Sequence, residues 1–139
     1  MPDIEQLKKE QQDLVNGLVS VNQKIAQNFA TIFVDALLKE RQGRKKFKYW
    51  LTEAIRRMHN IRDRDNIWID LGRNFNLPDS VIFNAIATVS GDRYGPTDRQ
   101  LLGAINSQIK SFGARLYLRA DEFDSNMRIL HRWDVEHLH

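Results

Sequence analysis

Across residues 4–38 apolar side chains return every third or fourth position, at Ile4, Leu7, Leu14, Leu18, Val21, Ile25, Phe29, Ile32 and Ala36, with Gln11 taking the one missed place. Steps of three and four keep one face of an α-helix apolar, so this stretch reads as one long amphipathic helix. Its two halves differ. The front half is a narrow seam of two apolar residues per heptad, suited to a partner helix. In the rear half Ala30, Ile32, Phe33, Val34, Ala36, Leu37 and Leu38 leave almost no polar side, which suits a core. The successive four-residue steps from Val21 to Ile25 to Phe29 mark where a coiled-coil seam gives way to globular packing. Gly17 is a place where the helix could break, because an interior glycine costs about 1 kcal/mol relative to alanine.

Gly43, coming after Lys39, Glu40 and Arg41, supplies a C-terminal stop with bases at the negative end of the helix dipole. A second helix is expected over 44–60. Phe47, Leu51, Ala54, Ile55 and Met58 share one of its faces, and Lys45, Lys48, Thr52, Arg56 and His59 lie largely on the other. The bases here are concentrated. Residues 41–64 hold nine Lys and Arg against Glu53 and Asp63, a charge of +7, whereas the whole chain carries +3 and each flank is at −2. A local cationic field is the usual footprint of a phosphate-bearing partner, since neutralising phosphates releases condensed counterions. Tyr49 and Trp50 sit among the bases, and packing at the edge of the core is the preferred account of both over base stacking.

Residues 66–71 fit either a short strand or the first turns of a helix capped by Asp65 or Asn66, and the helix is preferred. Leu77-Pro78 is a boundary, because the residue before proline is pushed out of helical geometry. Asp79 or Ser80 then caps a helix bearing Val81, Ile82, Ala85, Ile86 and Val89, ended by Gly91, and residues 91–96 form a loop. Thr97 caps the next helix, whose inner stripe is Leu101, Leu102, Ile105, Ile109 and Phe112 and whose stop is Gly113. After Gly113 the period changes to two. Residues 114–119 and 127–133 alternate around the polar stretch 121–126, which predicts a hairpin with Leu116 and Leu118 on one face. Arg115, Tyr117 and Arg119 take the other, with Arg128 and Arg132 on the partner strand.

The predicted fold class is therefore α+β, mainly helical with a small C-terminal β-hairpin. It divides into a long N-terminal helix (1–42), acting as an oligomerisation or docking arm, and a globular domain (43–139). In element order that domain resembles a winged helix-turn-helix. The helix over 97–112 would then be the recognition helix, with Arg99, Gly103, Asn106 and Lys110 in one outer row. Arg can donate two bonds to guanine, Asn can pair with adenine, and Gly103 would allow close backbone approach.

A chain of 139 residues suits one compact domain or a domain with an arm. The absence of cysteine excludes disulfides, thiolate metal sites and a cysteine nucleophile. The first residues lack a signal-peptide pattern and no stretch is long and apolar enough to span a bilayer, so a soluble, cytoplasmic protein without a membrane partner is expected. No metalloprotease histidine pair, phosphate-cradling glycine loop or nucleophile elbow is present. His137 and His139 beside Asp134 and Glu136 read as a polar tail, and Asp121, Glu122, Asp124 and Asn126 as a turn rather than a calcium loop. No enzyme activity, cofactor or metal is expected.

The sequence thus points to a non-enzymatic nucleic-acid-binding protein, DNA ahead of RNA, that forms homo-oligomers, a dimer foremost, through Leu7, Leu14, Leu18, Val21 and Ile25. Arg44, Lys45, Lys46, Lys48, Arg56 and Arg57 would meet phosphates. Arg99, Asn106 and Lys110 would read bases, with Arg115, Arg119, Arg128 and Arg132 supporting the wing. The rival expectation is a protein-interaction module that docks on, and inhibits or recruits, a larger transcription or replication machine.

Overall fold

The computed structural model describes residues 3–41, 43, 46–86 and 95–138. Arg44, Lys45, Val89, Gly91 and most of the expected loop after it, and His139 lie outside the described residues. The element order is α1 (Ile4–Arg41), α2 (Phe47–Arg56), a 3-10 turn (Arg64–Asn66), α3 (Ile67–Asn74), α4 (Asp79–Ile86), α5 (Asp98–Ile109), a second 3-10 turn (Lys110–Phe112), β1 (Ala114–Phe123) and β2 (Ile129–His137). The molecule is mostly helical, with one antiparallel two-stranded hairpin and a long first helix.

α1 runs unbroken through Gly17 for 38 residues, about 57 Å at the usual rise of an α-helix. Its two halves have different surroundings. Up to Val21 every side chain is exposed except the half-buried Leu18. From Asn22 onward Ala26, Phe29, Ala30, Phe33, Val34 and Leu37 are buried, in the same core cluster as Leu101 and Ile105 of α5 and Trp133 of β2. The rear half of α1 is therefore a wall of the globular body.

Aromatic rings run through that body as a continuous column. Phe112 meets Phe47, then follow Trp50, Phe75, Phe33, Phe29, Trp68 and Trp133, with successive centroids 4.9–6.1 Å apart. Tilted and edge-on contacts at such spacings add to area burial. The two buried indoles also find acceptors: Trp68 Nε1 donates to Asp98 Oδ1 at 2.8 Å, and Trp133 Nε1 donates to the Ile67 carbonyl at 3.0 Å. Trp50 thus packs at the core edge, as expected.

The segment 66–71 is helical. Asn66, one of the two expected caps, takes the N-cap position of α3 without a side-chain cap bond, and Asp63 accepts from the Asp65 N–H and opens the 3-10 turn that leads into the helix. α3 lies close on α4 because Gly72 has no side chain; a Cβ there would fall 2.5 Å from Ile82 Cδ1. Thr97 caps α5 in a full capping box with Gln100, and Gly113, at φ +76°, ends the turn after α5 in the left-handed region that glycine tolerates. Phe112 departs from the predicted inner stripe. It sits in that 3-10 turn, beyond the last residue of α5, and is 40% exposed, because the change of helix type rotates it away from Leu101, Ile105 and Ile109.

The hairpin is longer than predicted. β2 continues to His137, and the register pairs Arg115 with Glu136, Tyr117 with Asp134 and Arg119 with Arg132, before a shift between Arg119 and Glu122. The tip is the tight turn 124–128. Asp124 accepts from the N–H groups of Asn126 and Arg128, and Met127 adopts φ +61°, a conformation rare for a residue with a side chain. Ile61 adds an isolated antiparallel bridge to His131.

Candidate functional site

The cationic residues singled out by the sequence divide into three groups once their neighbours are known. The first group is occupied within the fold. Arg115 Nε donates to Glu136 at 2.8 Å, and Arg119 reaches Asp121 at 3.0 Å and Asp134 at 3.4 Å. The acids responsible, Asp134 and Glu136, stand on the part of β2 that the predicted strand omitted. The hydrogen bond with Arg119 holds the Asp121 carboxyl below its ordinary value and raises the Arg119 guanidinium. Burial followed by the Asp134 charge raises the Tyr117 phenol, whose hydroxyl donates to Asp134. Within the cationic window Arg64 meets Asp98 at 2.6 Å, and Arg62 lies 3.8 Å from Asp124. The +7 of that window is therefore partly neutralised in the folded protein.

The second group changes role. Asn106 does not present its amide to solvent. Its Nδ2 donates to the Leu116 carbonyl at 2.9 Å and its Oδ1 accepts from the Leu116 N–H at 2.8 Å, so both ends are consumed in tying α5 to the outer edge of β1. A carboxamide so held cannot also pair with adenine. Thr52, expected on the outer face of α2, is buried, and Lys48 is half-buried. The Thr52 hydroxyl donates to the Lys48 carbonyl at 2.7 Å and its oxygen lies 2.7 Å from His137 Nε2. With the hydroxyl proton committed to a carbonyl, the Thr52–His137 contact is not an activated nucleophile, for which the histidine would have to receive that proton.

The third group stays outside ion pairs with the described carboxylates. Lys46, Arg56 and Arg57 lie on the exposed side of α2, Arg99 and Lys110 are exposed near the two ends of α5, Arg128 is exposed at the hairpin tip, and Arg132 is half-buried. At the N-terminal end of α2 the fold forms a cavity of about 420 Å³ lined by Arg41, Lys46, Phe47, Lys48, Ser111, Phe112 and Gly113. Among the described residues its lining holds three bases and no acid. Lys110 and Arg115 line a neighbouring cavity of about 350 Å³ on the other side of the same turn, next to Gly103, Asn106 and Ser107. A further cleft of about 410 Å³ at the other end of α2 joins Arg57, His59 and Arg73 but includes Asp70, and Arg73 is bound to Asp79.

Sequence reasoning counted Arg41 in the basic window without giving it a contact, and placed Phe112 inside. A usable signal was present: Arg41 stands two residues before the Gly43 stop and Phe112 directly before the Gly113 stop, so both stand where a helix ends and its face no longer dictates direction. Tyr49, by contrast, already has both a cation over its ring, Lys48 Nζ at 5.4 Å from the centroid, and an edge contact with His137.

Apolar groups are displayed at two places. Along the free half of α1, Ile4 is 68% and Leu14 77% exposed, with Leu7 and Val21 also exposed and Leu18 and Ile25 half-buried. At the hairpin tip, Met127 is 76% exposed above Phe123 and Ile129, which pair across the strands. Among the described residues no group of three or more His, Asp or Glu is arranged to hold a metal ion, and no helix is long and apolar enough to cross a membrane. No protein-family model matches the sequence, and neither a curated protein nor a solved structure matches it.

Proposed function

We propose that this chain is a non-enzymatic nucleic-acid-binding protein that self-associates through the free half of α1. The observation that supports the reading is the cavity at the start of α2, whose described lining brings Arg41, Lys46 and Lys48 together without a carboxylate. Cations that share one concavity, without a carboxylate in its lining, attract an anion more strongly than the same number spread over a surface. Lys46, Arg56 and Arg57 along α2, with Lys110 beyond the cavity, extend the track that a phosphate backbone would follow. Base reading by Asn106 is no part of this proposal, and the wing arginines Arg115 and Arg119 are not counted as phosphate ligands.

The seam Ile4, Leu7, Leu14, Leu18 and Val21 provides the association surface, and its occupant is a second copy of the same helix. Side chains repeating at alternating steps of three and four on a helix clear of the body are what a two-helix seam needs, with the polar Gln11 fixing register at a cost in stability. Two copies double the phosphate contacts available to one strand of nucleic acid.

A titration of labelled oligonucleotides at two salt concentrations tests the first part. Affinity falls linearly in log–log form with salt, and Lys46→Glu with Lys48→Glu lowers both the affinity and the slope. Salt-independent or absent binding would reject it. Light scattering on Leu7→Lys/Leu14→Lys tests the second part, and an unchanged mass would reject the seam. The exposed tip of Phe123, Met127 and Ile129 favours a second reading, a module that docks on a partner protein, because a strained residue held at an exposed position is a feature of recognition elements. That reading gains if the oligonucleotide titration is negative.

A further inference from the structure

We infer that the cavity at the start of α2 takes an unpaired nucleotide, so that the ligand of this protein is single-stranded nucleic acid, with a base stacked on Phe112 and its phosphate against Lys46 and Lys48. The inference rests on the proposed nucleic-acid reading and narrows it. Phe112 is an aromatic ring 40% open to solvent on the wall of a cavity whose other described lining is Arg41, Lys46, Lys48, the buried Phe47, Ser111 and Gly113. It is not a loose surface ring. Its neighbour Phe47 is buried with a centroid 4.9 Å away, and Phe47 in turn abuts Trp50 and, through it, Phe75, so the platform is backed by the aromatic column of the core. A ring fixed in this way loses little rotamer freedom on binding, and base-on-aromatic stacking accepts any base because every base has a π-face.

The same geometry disfavours intact duplex as the preferred ligand. In a duplex the base faces are covered by neighbouring bases, and only their edges are presented in the grooves. Reading those edges needs a row of outward polar side chains on a helix, and in α5 that row is weakened: Asn106 is held by Leu116, and Gly103 and Ser107 bring small groups instead. The cavity itself, about 420 Å³, is of the order of small-ligand sites and accommodates one base with its phosphate, not the width of a double helix. A flat ring beside cations is the combination that unpaired strands use, with stacking and backbone attraction contributed by different side chains.

The test is fluorescence anisotropy on the full chain with four probes of equal length: oligothymidylate, oligouridylate, an abasic oligodeoxynucleotide that keeps the phosphates without bases, and a blunt duplex. Native protein binds the two base-bearing single strands about ten-fold or more tighter than the abasic strand and the duplex. Phe112→Leu, which keeps an apolar group of similar bulk and so preserves the fold, brings the base-bearing strands down to the abasic level, whereas Phe112→Tyr keeps the difference. Equal affinity for the abasic and thymidine strands, or a Phe112→Leu variant that still discriminates, would overturn the inference while leaving phosphate binding intact. Failure to bind any of the four at low salt would overturn the nucleic-acid reading itself, and the inference with it.

Discussion

The hairpin and the segment around α2 both display several basic side chains, but the hairpin also carries the acids that meet them and the α2 segment carries few. On the outer face of the hairpin Arg115 and Arg119 each stand beside a carboxylate of β2 or of their own strand, and the face is close to self-neutralised. On α2 and the cavity at its start, Lys46, Arg56 and Arg57 have no such partner among the described carboxylates. The difference teaches that a basic residue becomes a ligand for an external anion only where the fold does not supply an internal one. Strand register sets Arg115 opposite Glu136, and Arg119, opposite Arg132, reaches Asp134 diagonally and Asp121 on its own strand, whereas a helix with one exposed side leaves its cations to solvent.

The comparison breaks most readily through binding. Lys46→Glu with Lys48→Glu is expected to weaken single-strand binding about 100-fold at low salt and to reduce the salt slope by about 2, while Arg115→Gln with Arg119→Gln changes neither. An equal loss in both variants, read by anisotropy, would erase the distinction between the two regions. Next in size is the role of Asn106. Asn106→Leu leaves the Leu116 N–H and C=O without their partner at a position 1% exposed, and urea unfolding should show a loss of about 2 kcal/mol with nucleic-acid affinity retained. The reverse pattern, stable protein with lost affinity, would return Asn106 to the base-reading role.

A smaller effect sharpens the hairpin side. The Arg115–Glu136 pair is half-exposed, so a double-mutant cycle with Arg115→Gln and Glu136→Gln should give a coupling of less than about 1 kcal/mol. The smallest effect is one of pH. Backbone hydrogen bonds from Arg128 and Asn126 hold the Asp124 carboxyl below its ordinary value of 3.8. A depressed carboxylate stabilises fully above that value and loses its contribution as pH falls through the folded one. Protection of the Asn126 and Arg128 amides, measured against intrinsic exchange at each pH, should therefore be full at neutral pH and be lost as pH falls below the ordinary carboxylate value, and Asp124→Asn should remove that pH dependence.

Periodicity and local capping were legible without coordinates. The three-and-four spacing of α1, the Thr97–Gln100 box and the glycine stops at Gly43 and Gly113 depend on residues within a few positions of one another, and short-range geometry fixes them. The candidate site was legible only in part. Arg56 stayed on the exposed side that helical spacing gave it, and Lys46 and Arg57 at the two ends of the helix are exposed too, but Thr52 turned toward β2, an element more than seventy residues away in sequence, and Lys48 is half-buried. Phe112 was placed inside because the helical period was carried one turn too far, past the switch to a 3-10 turn. The wing arginines looked available because Asp134 and Glu136 fell beyond the predicted strand.

By itself, then, the sequence determined the mainly helical α+β fold class, the long first helix with its two unlike halves, and the concentration of bases after it, since each follows from residues that are neighbours along the chain. Tertiary structure alone decided which of those bases are neutralised, that Asn106 serves the β1 edge, and that Phe112 opens onto the basic cavity. Charge pairing, hydrogen bonding and exposure depend on distances through space, and residues 10 to 66 positions apart, as in Asn106–Leu116 and Ile67–Trp133, are brought together only when the core closes.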